Sequence, residues 1–371
     1  MSNRMEDATQ RFQRNLATFF RARYPYLYVS TWEEIRILSL IRTVAKDANL
    51  IRTTRQVFVW SATEGVVGEE QKGIRETAPL KALEFLENYR EPAIFVLKDF
   101  HVYLGDQGRQ ADTKLIRKLR DIAPSLIRSK SPKNVVFVSS KLVLPADLEK
   151  DVTIIDFDLP TFEEIGQKLQ SIIREQGGRI QVNLNGEESE RLAKAAVGLT
   201  LQEAENAFAR AMVEGGKLEG KSVELILEEK RQIIKKMEIL EFIPASYKID
   251  EVGGLENLKR WLRKRNKSWV DSAIARYGLE SPKGVLITGI PGCGKSLIAK
   301  AISAMWQLPL LRLDVGRIFS GLVGSSEENM RRAIKTAEAI APSILWIDEI
   351  EKGFGTTSDR DSGTSMRVFS T

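Results

Sequence analysis

The sequence predicts an α/β fold in which short strands alternate with amphipathic helices and assemble into parallel sheets. Two observations support this prediction. Short runs rich in β-branched and aromatic residues recur between helix-period segments along residues 1–240. A glycine-rich stretch, GIPGCGKS at 289–296, then lies between an apolar run and a new helical pattern. We therefore expect two domains, one over residues 1–240 and one over 241–371.

The first domain begins with five predicted strands. They are 26–30 (YLYVS), 57–60 (VFVW), 93–97 (AIFVL), 135–139 (VVFVS) and 152–157 (VTIIDF). Helical periodicity lies between them, clearest at 33–48 and 113–127. After residue 160 the pattern is helical only, at 161–176, 187–197 and 200–215. This order predicts an α/β core followed by a small helical lid.

The order of elements begins again after a charged helical segment at 222–240. GVLITG at 284–289 predicts a strand, and KSLIAKAISAMW at 295–306 predicts a helix. A strand is expected within 308–315, a helix within 325–341 and a strand within 343–350. The second domain thus repeats the alternation of the first.

Composition narrows the class of protein. The 371 residues are 43% hydrophobic and 29% charged, with a formal net charge of +6, as in ordinary globular proteins. A single cysteine excludes an internal disulfide and a single histidine excludes a multi-histidine metal site. The polar, acid-containing start is unlike a secretory signal or a transit peptide, and no apolar run is long enough to span a bilayer. We expect a cytoplasmic protein, or a stromal one if a plastid encodes it.

The stretch at 289–296 has the spacing of a phosphate-binding loop, G-x-x-x-x-G-K-[ST]. Glycines let backbone N–H groups turn toward phosphate oxygens, and the following helix adds positive partial charge at its N-terminus. Lys295 is expected to neutralise the β and γ phosphates, and the Ser296 hydroxyl to ligate Mg²⁺. The alternative is a glycine-rich turn with an incidental lysine.

Two acids end the last predicted strand, ILWIDE. Asp348 there is suited to hold Mg²⁺ and Glu349 to orient and polarise an attacking water. An acidic strand end is common by itself, but here it follows the phosphate loop. The two together predict an ATP-hydrolysing site with Lys295 and Glu349 as catalytic residues and with Ser296 and Asp348 as metal ligands.

These residues resemble the AAA branch of the AAA+ P-loop ATPases. DEVGGLENLKRWL resembles the segment that opens that domain, and FSGLVGSSEENMRRAIKTAEAIAPSILWIDEIE resembles its stretch from the pore loop to Walker B. Nearly the whole chain, most strongly residues 248–352, resembles the uncharacterised AAA proteins of chloroplast genomes and cyanobacteria, the hypothetical chloroplast reading-frame type. The resemblance implies ATP and Mg²⁺ as cofactors, a hexameric homo-oligomer and a protein substrate or partner. It implies nucleotide contacts from Val252, Gly253, Gly289, Pro291, Gly292, Cys293, Gly294, Lys295, Ser296 and Leu297.

The sequence departs from the family pattern at the pore loop. AAA unfoldases present an aromatic residue there, followed by an aliphatic residue and a glycine. Here Leu322, Val323 and Gly324 stand in its place, and leucine lacks the flat, rigid area of an aromatic ring.

The first domain departs further, because YLYVST continues into WEEIRIL without a phosphate loop. Glu33 and Glu34 stand near the start of a helix, where they would repel a phosphate. AIFVLKDF likewise offers Lys98 and Asp99 instead of paired acids. We interpret this half as a degenerate AAA-like domain with a recognition or assembly role; an unrelated α/β domain is the alternative.

Three further features can be explained either by a function or by an ordinary structural role. The basic segment LKRWLRKRNKSW at 258–269 suits nucleic acid or an acidic partner, but it also suits a solvated helix face. His101 is read as structural. Cys293 stands at a variable position of the loop, where its N–H matters more than its sulfur, and a redox role is the alternative.

The residues after Glu351 are expected to be too few for the strands, sensors and arginine fingers that complete an AAA domain. Arg360 and Arg367 lie too early to be assigned as fingers. The sequence is therefore interpreted as an AAA domain truncated after Walker B, which binds nucleotide weakly and has little turnover alone.

Two functions remain open at this point. The first is an ATP-driven ring ATPase that remodels a protein partner. The second is a nucleotide-switched regulatory scaffold, in which the degenerate domain binds the partner. A GTPase is disfavoured because no [NT]-K-x-D motif occurs.

Overall fold

Two compact units make up the chain in the computed structural model. The first comprises Met1–Ile165 and Thr200–Glu203, and the second comprises Gly166–Leu199 and Ala204–Thr371. The structure describes residues 8–68, 73–105, 110–176, 181–182, 184–215, 217–218, 222–236, 240–243, 249–270, 284–290, 292–306, 308–315, 330, 333–334, 336–338, 340, 343–348 and 350. The domain boundary that the sequence suggests, between 240 and 241, stays a prediction.

The first unit is built from a seven-stranded sheet with helices on both faces. Its helices are Ala8–Arg21 (α1), Glu34–Lys46 (α2), Ala48–Ile51 (α3), Pro79–Asn88 (α4) and Thr113–Arg128 (α5). Its strands are Tyr26–Ser30 (β1), Gln56–Ser61 (β2), Gly65–Gly68 (β3), Gly73–Ile74 (β4), Ala93–Lys98 (β5), Lys133–Ser139 (β6) and Val152–Ile155 (β7).

The five predicted strands of this unit form a parallel core in the order β2-β5-β6-β1-β7. Strands β5 and β6 are buried nearly throughout, which explains why their sequences are continuous apolar runs. The sequence prediction missed β3 and β4, which extend the sheet antiparallel beyond β2. The first strand of the chain therefore lies inside the sheet, between β6 and β7.

Alternating side chains along the strands supply two different cores. One face carries aromatic residues, including Tyr28, Phe58 and Phe137, and packs against α4 and α5. The other face carries aliphatic residues, including Val29 and Val136, and packs against α1, α2 and α3. Period-two alternation places these sets on opposite sides of the sheet. The result is the three-layer α/β architecture that the sequence predicts.

Four helices follow the sheet along the chain: the three predicted for the lid and the predicted charged segment. They are Phe162–Gln176 (α6), Gly186–Ala196 (α7), Leu201–Gly215 (α8) and Val223–Lys236 (α9), with a two-stranded parallel sheet of Gln181–Val182 (β8) and Lys217–Leu218 (β9). The expectation that this region is helical only is wrong, because these two short strands pair between its helices. The later elements are Leu240–Ile243 (β10), Glu256–Val270 (α10), Lys295–Trp306 (α11), Leu310–Leu313 (β11) and Ile344–Ile347 (β12). None of the described helices combines the length and apolarity that crossing a bilayer requires.

The predicted strand at 284–289 is wrong for this structure. Strands β10, β11 and β12 form a sheet in that order, with β10 antiparallel and β12 parallel to β11. Residues 284–290 have no regular structure, and Leu286 is 79% exposed. A strand needs neighbours to pair its backbone groups. In the first unit, β1 pairs with β6 on one side and β7 on the other. Among the described residues of the second unit, no strand follows β12 that could pair with 284–289 in this way.

A buried lysine joins two helices of the second unit. Lys230 on α9 is 5% exposed, and its ammonium donates hydrogen bonds to the carbonyl oxygens of Ala195 and Val197 at the end of α7. These carbonyls have no partner inside their own helix, so the cation caps the helix and meets its negative end. Burial lowers the pKa of Lys230 to about 8.

This lysine makes stability depend on pH in the alkaline range. Because the pKa is lower in the folded than in the unfolded state, folding releases protons between pH 8 and about 10.5, and stability should rise across that window. We expect urea unfolding of the second unit to show this rise, by up to about 3 kcal/mol. Other groups titrate there too, so Lys230→Met provides the reference. Equal slopes for the wild type and this variant would contradict the assignment.

Candidate functional site

The glycine-rich loop leads directly into α11. Gly292 and Gly294 have φ values of +81° and +87°, in the left-handed region that glycine occupies without strain. A Cβ at Gly289 would lie 2.6 Å from the Cys293 sulfur. The backbone therefore favours glycine at Gly292 and Gly294, of which the motif fixes Gly294, and at Gly289 a Cβ would require the Cys293 side chain to move. This conformation also brings the loop backbone to the N-terminus of a twelve-residue helix.

Lys295 is the first residue of α11, and its side chain folds back over the loop. Its Nζ donates hydrogen bonds to the carbonyl oxygens of Gly289 at 2.9 Å and Ile290 at 3.0 Å. Ser296 follows in the first helical turn and is exposed. An ammonium and a hydroxyl thus stand together at the positive end of the helix, where anionic oxygens are favoured.

One apolar cluster joins the loop helix to two other segments of the predicted site. It contains Val252, of the segment before α10, and Ile298 of α11, with Leu297, Ile287 and Ile344 packed against it. Val252 is buried, and a Cβ added to Gly253, which follows it, would meet no atom within 4 Å. The structure therefore brings the opening segment, the loop helix and the start of β12 into a shared core.

Asp348 lies immediately after β12, with its carboxylate partly exposed. The guanidinium of Arg312 on β11 lies 3.4 Å from an Asp348 oxygen and 3.7 Å from Glu241. Arg312 also lies over the Trp346 ring, with 5.3 Å from its Cζ to the ring centroid. The sequence interpretation missed this arginine. A signal was present, because Arg312 is the sole charged residue in LPLLRL, on the strand beside the one that carries the acid.

The described part of the chain contains no cluster of three or more His, Cys, Asp or Glu side chains that could hold a metal by itself. Ser296 and Asp348 still fit Mg²⁺, because this ion typically takes one or two protein ligands and completes its shell with phosphates and water. Several predicted residues lie outside the described residues, so the structure says nothing of them: Pro291, Leu322, Val323, Gly324, Glu349, Arg360 and Arg367.

In the first unit, the place that corresponds to the phosphate loop is the edge where β1 ends and α2 begins, and ion pairs occupy it. Glu33 occupies the residue before α2 without a side-chain capping bond, and it is buried. Its carboxylate accepts hydrogen bonds from Arg36 Nη1 at 2.7 Å and from the Leu201 backbone N–H at 2.7 Å. Arg36 also donates to Glu164 at 3.0 Å and to the Asp158 carbonyl oxygen at 2.8 Å. The network links the end of β1 to residues far along the chain.

A second ion pair lies at the same edge. Glu34, in the first turn of α2, lies 2.8 Å from the ammonium of Lys98 at the end of β5. Burial raises the pKa of Glu33, and the nearby Arg36 and the Leu201 N–H offset this only in part. Where a phosphate-binding unit presents N–H groups and a lysine, this unit presents carboxylates held by its own cations. The arrangement disfavours a nucleotide phosphate at this edge.

Three family models match the chain. The model described as "ATPase family associated with various cellular activities (AAA)" matches residues 285–371. Two models for SpoVK-like AAA ATPases match the earlier part, the N-terminal domain over 12–157 and the second domain over 163–237. The matches follow the order of the α/β sheet, the helical segment and the phosphate-loop region.

Curated relatives extend over nearly the full chain. It is 39% identical over 364 residues to "Uncharacterized AAA domain-containing protein ycf46" of Pyropia yezoensis, covering 97% of this chain and 70% of that protein. The protein of the same name from Trieres chinensis is 39% identical over 365 residues, with the same coverage. The proteasome-activating nucleotidase of Methanosarcina mazei is 29% identical over 147 residues, which are 39% of this chain and 34% of that protein.

Proposed function

The chain belongs to the AAA ATPase family, among the proteins named ycf46, and from this premise we propose that its second unit binds ATP with Mg²⁺. The observation that carries the proposal is the loop of 289–295. In this loop the glycines with positive φ let backbone N–H groups face a ligand, and Lys295 adds a cation. Both lie at the N-terminus of α11, which favours anions. Few other ligands suit that combination as well as a polyphosphate.

The residues have distinct roles in this proposal. Lys295 exchanges its hydrogen bonds to the loop carbonyls for stronger, charge-assisted ones to the β and γ phosphates. Ser296 and Asp348 would hold Mg²⁺, which neutralises phosphate charge when bound. Glu349 would orient the attacking water, and the backbone at Val252 and Gly253 would line the adenine pocket. Pro291, Gly292, Cys293 and Leu297 complete the nucleotide contacts.

Arg312 adds a step that the sequence alone did not suggest. Its ion pair with Asp348 must loosen if this carboxylate is to reach a metal, since the same oxygen cannot serve both fully. Glu241 lies 3.7 Å from the same guanidinium and offers it a replacement partner. We therefore propose that Arg312 holds Asp348 in place before the metal ion binds.

At the level of the whole protein we propose an ATP-driven remodelling or assembly factor that acts on a protein partner as a homo-hexamer. The closed edge at Glu33 and Glu34 supports a first unit that recognises or assembles without hydrolysing ATP. The regulatory scaffold remains the second candidate, supported by the same edge and by leucine at the pore position. The reducing interior of a plastid or a cyanobacterium is the proposed location, in keeping with a single cysteine.

Nucleotide-dependent sedimentation of the protein separates the two functions. We expect ATP to shift the protein toward a larger assembly and Lys295→Ala to abolish the shift. For a remodelling ATPase, Leu322→Ala should retain assembly but lose processing of the partner. If Leu322→Ala loses neither assembly nor processing of the partner, the scaffold is favoured. Assembly that does not depend on nucleotide would contradict both proposed functions.

A further inference from the structure

The amino-terminal ends of four parallel strands in the first unit form a continuous edge. We call amino edge the residues 21–25, 52–55, 89–92 and 128–134, which lead into β1, β2, β5 and β6. Three prolines support it: Gln56 N donates to Pro92 O at 3.1 Å, Ala93 N to Pro132 O at 3.1 Å, and Val135 N to Pro25 O at 3.0 Å. These bonds continue the ladder past the strands and hold the four segments side by side.

The amino edge is strongly positive. It contains eight cations and one acid, Glu91, and so carries a net charge of +7, whereas the whole chain carries +6. Six of the cations are exposed and two are buried. The exposed ones are Arg21, Arg23, Arg52, Arg90, Arg128 and Lys130, and the buried ones are Arg55 and Lys133. The remainder of the chain is thus close to neutral, and the excess charge is concentrated here.

No cation of the amino edge forms an ion pair with a carboxylate in the described part of the chain. Other cations of the same unit do, for example Lys81 with Glu84 and Lys118 with Glu87. Surface charges of this kind are normally interspersed with acids. The missing counter-charge indicates that an external anion completes this surface.

The hydrogen-bond partners of the two buried cations are all neutral groups, and the buried Nε of Arg55 has no partner in the described part of the chain. Arg55 donates to the Asn134 side chain and to the Phe20 carbonyl oxygen, and Lys133 donates to three carbonyl oxygens at the end of α4. Burial lowers the pKa of Arg55 to about 10, with a further contribution from Arg23, and burial lowers the pKa of Lys133, with a further contribution from Arg90. The cations of the edge therefore repel one another, and an anion would relieve that repulsion.

We propose that the amino edge binds the phosphate backbone of a single-stranded nucleic acid. Six of its eight cations are arginines, whose planar guanidinium matches phosphate geometry with two parallel hydrogen bonds. Four adjacent strands at a spacing of about 4.8 Å spread the charges over about 14 Å, enough for several consecutive phosphates. An acidic protein is less well matched, because protein interfaces normally have an apolar centre.

Tyr24 supplies the remaining element of such a site. Tyr24 is 41% exposed on the segment before β1, at one end of the amino edge, and its ring is held edge-on by Phe19, with centroids 4.9 Å apart. The Asn134 side chain also fixes the Tyr24 backbone, donating to its carbonyl oxygen at 2.6 Å. A fixed, exposed aromatic ring among phosphate-binding cations is the arrangement on which bases stack without sequence preference.

Fluorescence anisotropy with a fluorescein-labelled 20-nucleotide poly(U) RNA tests the proposal. The edge variant changes Arg52, Arg90, Arg128 and Lys130 to glutamine. These side chains are exposed and make no hydrogen bond within the described chain, so folding should be retained. The charge-matched control changes four exposed cations elsewhere in the same unit to glutamine, namely Arg11, Arg42, Arg75 and Lys114.

We expect the edge variant to bind at least about tenfold more weakly than the wild type at 50 mM salt, and the control less than threefold. The slope of log K against log salt should fall by about 3, because each lost phosphate contact contributes about 0.7 for a single strand. Tyr24→Leu should weaken binding about fivefold with little change in this slope.

Three results would overturn the proposal. The first is no binding of poly(U) by the wild type at 100 μM protein, and the second is an equal loss of affinity in the edge variant and the control. The third is displacement of the RNA by polyglutamate of equal charge as effectively as by unlabelled RNA, with no loss of affinity in Tyr24→Leu. That third result would assign the surface to an acidic polypeptide.

Discussion

Replacing Lys295 with alanine should weaken binding of MgATP to this chain by about 30- to 100-fold. The ammonium is the one side-chain cation at the turn into α11, and its carbonyl partners in the loop are uncharged. A charge-assisted hydrogen bond to phosphate is worth about 2–3 kcal/mol, which corresponds to a loss of this size. Titration with a fluorescent ATP analogue, with unlabelled ATP as competitor, measures it.

Lys264→Ala serves as the matched control, because Lys264 is an exposed lysine on α10 of the same unit. This variant should bind nucleotide within about twofold of the wild type. If Lys295→Ala binds as tightly as the control while retaining its circular dichroism spectrum, the loop is not the nucleotide site.

Arg36→Met is expected to destabilise the first unit by about 3–5 kcal/mol. Arg36 is buried, and its guanidinium contacts Glu33 and Glu164 as well as the Phe157 ring, 4.5 Å from the centroid. Removing it leaves carboxylates without their cation, and breaking a buried pair from one side is far more damaging than replacing the whole pair. Urea unfolding followed by hydrogen exchange in β5 and β6 reports on this unit.

The control for this prediction is Arg117→Met, which breaks an exposed pair with Asp121 one helical turn away on α5. It should cost less than about 0.5 kcal/mol, as exposed pairs do. Adding Glu33→Gln to Arg36→Met should recover part of the stability, because it removes one of the unpaired charges. Equal losses for Arg36→Met and Arg117→Met would show that the network is not structurally important.

The sequence predicted the parallel core well because the information there is local. Strands such as β5 and β6 are continuous apolar runs, and the helices between them have clear amphipathic periodicity. The phosphate loop was equally accessible, since its function depends on the spacing of glycines within eight residues. Of the glycines that the motif fixes, Gly294 has a positive φ, and Gly292 at a variable position has one too.

Features that depend on distant partners could not be predicted in the same way. Apolar periodicity at 284–289 is typical of a strand, but pairing decides whether the strand forms. The partners of Arg36 lie up to 128 residues away, and Arg312 meets Asp348 across 36 residues. Local patterns placed Glu33 at a helix start, but only the three-dimensional structure shows which cations neutralise it.

The most direct test of the account is the number of nucleotides that one chain binds. A phosphate loop in the second unit and an edge closed by ion pairs in the first predict one ATP per chain. Isothermal titration calorimetry with MgATP should give a stoichiometry of one, and Lys295→Ala should lose that binding. Two nucleotides per chain, or one that Lys295→Ala retains, would contradict the account, because the first unit would then be a nucleotide site.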